Sequence, residues 1–120
     1  MLQDLLNEAP RTEPLMRLYK NYLLLNCPAA RLLDLREGSA VSIQRDDRDG
    51  YVYIANCSSM KQSYPVAVAN KRFLVRSAKL CRKLANTLEG YGTYKVCTED
   101  SIEFMGHKFY NIFKRKYGKD

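Results

Sequence analysis

Two helix starts and two helix stops recur along this chain at nearly one spacing, and that recurrence limits the folds open to it more than any other feature. Asn26 stands before Pro28 and the apolar positions Ala29, Leu32 and Leu33; Ser77 stands before Ala78 and the apolar positions Leu80, Leu84 and Leu88. Asn and Ser side chains accept hydrogen bonds from the free amides of a first helical turn, and proline fits there because it lacks an amide. Downstream of each start, Glu37-Gly38 and Glu89-Gly90 mark a stop, since glycine adopts the left-handed backbone that ends helices. Cap matches cap at an offset of 51 residues, from 26 to 77, and stop matches stop at 52, from 37 to 89.

The segments around these marks read as strands. LYKNYLLLN, Leu18 to Asn26, is apolar without breakers and predicts a buried strand. SAVSIQRD alternates, with Val41 and Ile43 on one face, and the polar turn Asp46 to Gly50 returns the chain into YVYIANC. Residues 58 to 70 predict a connection in which YPVAVA forms at most a short strand. The order then repeats: KRFLVR as a strand, AKLCRKLANTLEG as a helix, TYKVCT as a strand, and EDSIEFMGHKFYNIF as a hairpin turning at Met105-Gly106-His107. A β-α-β-β unit with one short helix cannot cover both faces of its strands, so two copies must close on each other. The expected fold class is α+β, a small mostly-β barrel built from two β-α-β-β repeats about a pseudo-twofold axis. Its organisation is an extension over residues 1–18, then one domain over 19–120, comprising repeat 1 (19–57), connector (58–70), repeat 2 (71–113) and basic tail (114–120). The 120 residues, 46% of them hydrophobic, can supply one core.

The corner LLDLREGSAVSI, Leu32 to Ile43, resembles the helix, glycine-containing turn and strand of the AbrB-type (SpoVT-AbrB, swapped-hairpin) transition-state regulator domains. The match runs from Tyr22 to Cys57 through Leu32, Leu33, Leu35, Glu37, Gly38, Val41 and Ile43, while Arg72 to Phe113 matches in order of elements. Such domains usually pair as homodimers, so the resemblance implies a dimer fused into one chain that closes its barrel without a partner. It also implies DNA binding through basic residues on the paired first strands and adjoining loops. The arginine that the family carries at the start of its first strand falls at or near Tyr22, and its proline before the helix at or near Asn26. Only the second copy keeps the charge, in Arg72 and Arg76.

The charge pattern points the same way. Net charge is +7, and from Tyr51 to Leu88 there is no acidic residue, whereas Lys61, Lys71, Arg72, Arg76, Lys79, Arg82 and Lys83 are basic. A second cluster holds Lys114, Arg115, Lys116 and Lys119. DNA or another polyanion is the natural partner of such a run, and the alternative is a merely solubilising surface. The candidate nucleic-acid-binding residues are Lys71, Arg72, Arg76, Lys79, Arg82 and Lys83. No helix-turn-helix or zinc-finger pattern accompanies them. A second function stays open, an interaction module in which the same barrel meets a protein partner, in one version through the N-terminal extension.

Enzymatic chemistry has little to stand on. His107 falls in a turn, a poor place to shift a pKa, and Cys81 sits at a helix position better suited to packing. The glycines form no phosphate loop, and Gly90-Tyr91-Gly92 follows a helix where a phosphate cradle would precede one. The four cysteines are scattered without a Cys-x-x-Cys pair, which predicts reduced, mostly buried thiols and no metal site. No cofactor is expected. Most of the nine tyrosines lie in strand-like runs, where packing is their ordinary role. No run approaches the roughly 18 apolar residues of a membrane span and the first residues lack a signal peptide's pattern, so the expectation is a cytoplasmic protein, monomeric or weakly dimeric.

Overall fold

The computed structural model describes residues 13–58, 62–70 and 72–114. Along them run β1 (Leu15–Leu18), β2 (Leu23–Leu25), α1 (Cys27–Leu32), β3 (Ala40–Arg45), β4 (Val52–Asn56), β5 (Ser63–Pro65), β6 (Ala67–Ala69), β7 (Arg72–Val75), α2 (Ala78–Thr87), β8 (Gly92–Phe104) and β9 (His107–Lys114). Among these residues the strands form one nine-stranded sheet in the order β5-β3-β4-β9-β8-β1-β2-β7-β6. Every pairing in it is antiparallel. The strands at its two ends, β5 and β6, are consecutive in the chain and separated by Val66 alone, so the sheet is a small, nearly closed barrel. Val66 is buried, and its amide donates to the Ser39 carbonyl at 2.9 Å. The connector expected over 58–70 is therefore the closing piece of the barrel.

The apolar run from Leu18 to Asn26 is two strands, not one. β1 and β2 form a hairpin whose two-residue loop is Lys20-Asn21, and the Tyr19 amide donates to the Tyr22 carbonyl at 3.0 Å. Both strands bury alternate residues, Met16, Leu18, Leu23 and Leu25, so the stretch looks continuous and the tyrosines mask the turn. β1 stands between β8 and β2 within the sheet. The boundary at residue 18 thus falls inside the barrel, while residues 1–12 of that extension lie outside the described residues.

Both helix caps form as expected. The Asn26 side-chain oxygen accepts from the Ala29 amide at 3.0 Å and from the Leu15 amide at 2.9 Å, and its nitrogen donates to the Glu13 carbonyl at 2.8 Å. One side chain thus starts α1 and pins β1 beside it. Ser77 accepts from the Leu80 amide at 3.2 Å.

The stops differ from each other. Glu89-Gly90 ends α2: the Gly90 amide donates to the Ala85 carbonyl at 3.0 Å, and the Tyr94 hydroxyl accepts from the Glu89 amide at 2.8 Å while donating to the Gly90 carbonyl at 2.5 Å. Helix α1 stops before Glu37-Gly38, at Asp34, whose φ of +55° is left-handed. Its amide donates to Arg31 at 3.1 Å and that of Leu35 to Ala30 at 2.8 Å, the bond pair that closes a helix around one left-handed residue. Gly38, at φ +93°, instead turns the chain into β3, with the Ser39 amide on the Arg36 carbonyl at 3.0 Å.

At the far end, β8 and β9 extend beyond the barrel as an arm. Val96 pairs with Ile112 but Ser101 pairs with Tyr110, so five steps along β8 oppose two along β9. This bulge of three extra residues reverses which face each side chain takes. Val96 lies in the main core, whereas Ile102 packs with Tyr53, Ala55 and Phe109 in a second cluster. The arm ends in the two-residue turn Met105-Gly106, both left-handed at φ +52° and +81°, with His107 already in β9 opposite Phe104.

Replacing Asn26 with Ala removes a cap and the tie to β1 together, and the expected loss in chemical denaturation is about 2–3 kcal/mol. Ser77→Ala, which removes a cap alone, should cost about 1 kcal/mol. Equal losses would show that the bonds to Leu15 and Glu13 contribute nothing.

Candidate nucleic-acid interface

The six basic residues singled out in the sequence come from one joint in the chain, and the structure brings four of them together. Arg76 follows β7, Ser77 caps α2, and Lys79, Arg82 and Lys83 lie on the exposed face of that helix, opposite the buried Leu80, Cys81 and Leu84. Lys79 and Lys83 are one turn apart and Lys79 and Arg82 three residues apart, spacings that place side chains on one helix face. Arg72 is exposed at the other end of β7, four residues and roughly 13 Å away along the strand. Lys71 lies outside the described residues. Among the described residues, Arg72, Arg76, Lys79, Arg82 and Lys83 form no ion pair with a carboxylate.

The strand pair itself is less basic than its ends. β2 and β7 pair with Leu23 opposite Val75, Leu24 opposite Leu74 and Leu25 opposite Phe73. Leu23, Leu25 and Val75 are buried, so alternation turns Leu24 and Leu74 outward at the middle of the pair. Sequence reasoning missed the cations that flank this face on β1 and β8. Arg17, exposed, is opposite Leu24 and Thr93, and Lys95, opposite Leu15, holds the Glu13 carboxylate at 3.4 Å. Their signal was present in the alternation around Met16 and Leu18, once residues 15–18 are recognised as a strand.

Lys114, placed with the basic tail, is the last residue of β9. Its ammonium donates to the Tyr91 carbonyl at 3.1 Å and lies 5.0 Å from the Tyr94 ring centre, where it supports the β8–β9 pair. Arg115, Lys116 and Lys119 fall outside the described residues.

The arm and the β3–β4 loop enclose a cleft of about 440 Å³, lined by Tyr53, Phe104 and Phe109 together with Arg45, Asp46 and Arg48. The buried Tyr53 ring directs its hydroxyl to the Asp49 carboxylate at 3.2 Å. Its pKa is pushed up to about 12, first by burial, then by the hydrogen bond to Asp49 and the negative charges of Asp49, Asp100 and Asp46. Asp46 titrates below the usual carboxylate range because the Arg48 amide bonds it. The described residues hold no group of three or more His, Cys, Asp or Glu able to bind a metal ion.

None of the four cysteines is joined in a disulfide; Cys57 and Cys81 are buried, whereas Cys27 is exposed and Cys97 half-exposed, so only two of the four behave as core residues. Burial pushes the Cys81 thiol pKa up, opposite to what a nucleophile needs. No helix of the described residues is long and apolar enough to cross a membrane. Compared with family models, with curated proteins and with solved structures, the chain matches none.

Ultraviolet titration of the folded protein should show one tyrosine ionising near pH 12, lost in Tyr53→Phe and shifted down in Asp49→Asn. Because folding raises this pKa, the protonated hydroxyl's contribution to stability is complete below the ordinary tyrosine value of 10 and disappears as the pH climbs toward about 12. Thiol labelling without reductant should modify Cys27 quickly in the native state and Cys57 and Cys81 only after unfolding. Labelling of all four at one rate would contradict this packing.

Proposed function

We propose that the chain is a non-enzymatic nucleic-acid-binding or regulatory protein, cytoplasmic and monomeric or weakly dimeric, with an AbrB-like barrel made of two related units. The pairings support the duplication. The first strands of the two β-α-β-β units, β2 and β7, pair with each other, and so do the last strands, β4 and β9. β1 stands between β8 and β2 as the β5–β6 segment stands between β3 and β7. Exchanging the units returns the same neighbours, which favours a repeated unit of β-β-α-β-β, one strand longer than the caps and stops suggest.

The observation that carries the function is the run of Arg76, Lys79, Arg82 and Lys83 from the end of β7 along the exposed face of α2, all exposed and without carboxylate partners among the described residues. Phosphates bind such groups because contact releases condensed counterions. A second reading, a protein-interaction module, draws on the arm tip, where Phe104 and Met105 are 46% and 71% exposed.

Binding to duplex DNA should weaken with salt at a log-log slope of roughly −0.9 per phosphate contacted. The triple substitution Arg72→Gln, Arg76→Gln and Arg82→Gln should abolish most binding and flatten that slope, while Lys114→Gln, Arg115→Gln and Lys116→Gln together should matter much less. Equal losses in titrations of the two variants would mean diffuse attraction by net charge, and the interaction-module reading would take over.

A further inference from the structure

The outward face of β8-β1-β2-β7 carries a row of side chains that the barrel does not use. Met16 and Leu18 point inward from β1, so Arg17 and Tyr19 point outward; Leu23 and Leu25 point inward from β2, so Tyr22 and Leu24 point outward. Tyr19 and Tyr22 stand opposite each other across the Lys20-Asn21 loop, their rings stacked at 4.8 Å between centres. Carrying the Leu23–Val75 register one step further places Arg76 beside Tyr22. Carrying the Leu18–Gly92 register one step the other way places Tyr91 next to Tyr19. The order Tyr91, Tyr19, Tyr22, Arg76 thus spans four neighbouring strands, roughly 14 Å. Tyr19 and Tyr91 are 37% and 42% exposed, and Lys20 and Arg17 are exposed beside them. The carboxylates nearest this face among the described residues are Glu13, which sits on Lys95, and the exposed Glu89, two residues before Tyr91.

We propose that this face binds single-stranded nucleic acid, with Tyr19, Tyr22 and Tyr91 stacking on bases and Arg17, Lys20 and Arg76 meeting the phosphates. The inference rests on the polyanion reading above and narrows it. A cross-strand aromatic pair also steadies a hairpin, which accounts for Tyr19 facing Tyr22. It does not account for the exposed Tyr91 beyond them or for Arg17, Lys20 and Arg76 beside the stacked pair. In a duplex the base faces are stacked on one another, so an aromatic platform gains from unpaired strands, whose bases offer a free face whatever their identity.

The test is equilibrium titration of the full chain with oligothymidylate, oligouridylate and a duplex of equal length, with heparin as a polyanion without bases. Single strands should bind more tightly than the duplex, and the two single-strand arms show whether DNA or RNA is preferred. The chain has no tryptophan, so its emission comes from tyrosine and should be quenched by the single strands but not by heparin. Tyr19→Ala and Tyr22→Ala should each weaken single-strand binding about tenfold, the scale of one lost stack. Tyr19→Phe and Tyr22→Phe, which keep a ring and the hairpin, should retain it. If the duplex binds as tightly as single strands and the alanine variants bind like the parent while the arginine triple variant does not, the stacking platform is wrong and nucleic-acid binding stands. If no oligonucleotide binds at low salt, both fall.

Discussion

Backbone amides and carbonyls at the edge of a sheet need partners, and this chain meets that need by bringing both ends of a nine-stranded sheet to one buried residue. Val66 divides a short extended segment into β5, which pairs with β3, and β6, which pairs with β7. The two sides of the barrel are therefore joined through the chain itself where hydrogen bonding between strands gives out. The strands that carry the basic joint and the Tyr19–Tyr22 pair are tied into one sheet by these pairings.

Side-chain bonds from strands to helix ends fix the remaining geometry. Asn26 joins the first turn of α1 to β1, Asn56 at the end of β4 donates to the Leu33 and Asp34 carbonyls at 2.9 and 3.0 Å, and the Tyr94 hydroxyl bridges the end of α2 to β8. Each satisfies helix-terminal groups that would otherwise lack partners in a partly buried setting. The C-terminal end of α2 is thereby held to β8, while Ser77 caps its start directly after Arg76.

Charge is separated along the molecule. Asp46 and Asp49 of the β3–β4 loop gather with Asp100 of the bulge around the Tyr53 hydroxyl, on strands other than those that carry the β7–α2 cations. The bulge makes that second region possible. Three extra residues turn Ile102 to the outer face, where it helps Phe109 cover Tyr53 and Ala55.

Sequence alone determined what depends on near neighbours. The caps at Asn26 and Ser77, the Asp-Gly turn at Gly50, the Met105-Gly106 reversal and the acid-free basic run are legible because each rests on bonds or charges within a few residues. Tertiary structure decided what depends on distant partners. The break at Lys20-Asn21 is hidden because β1 and β2 bury alternate residues against strands far along the chain. The stop of α1 at Asp34 rather than Gly38 depends on where β4 presents Asn56, and the equal spacing of the two Glu-Gly pairs conceals that difference. The row of tyrosines follows only from register: Tyr91 is 72 residues from Tyr19, and the pairing of β1 with β8, which runs to Leu18–Gly92, is what brings the two segments together.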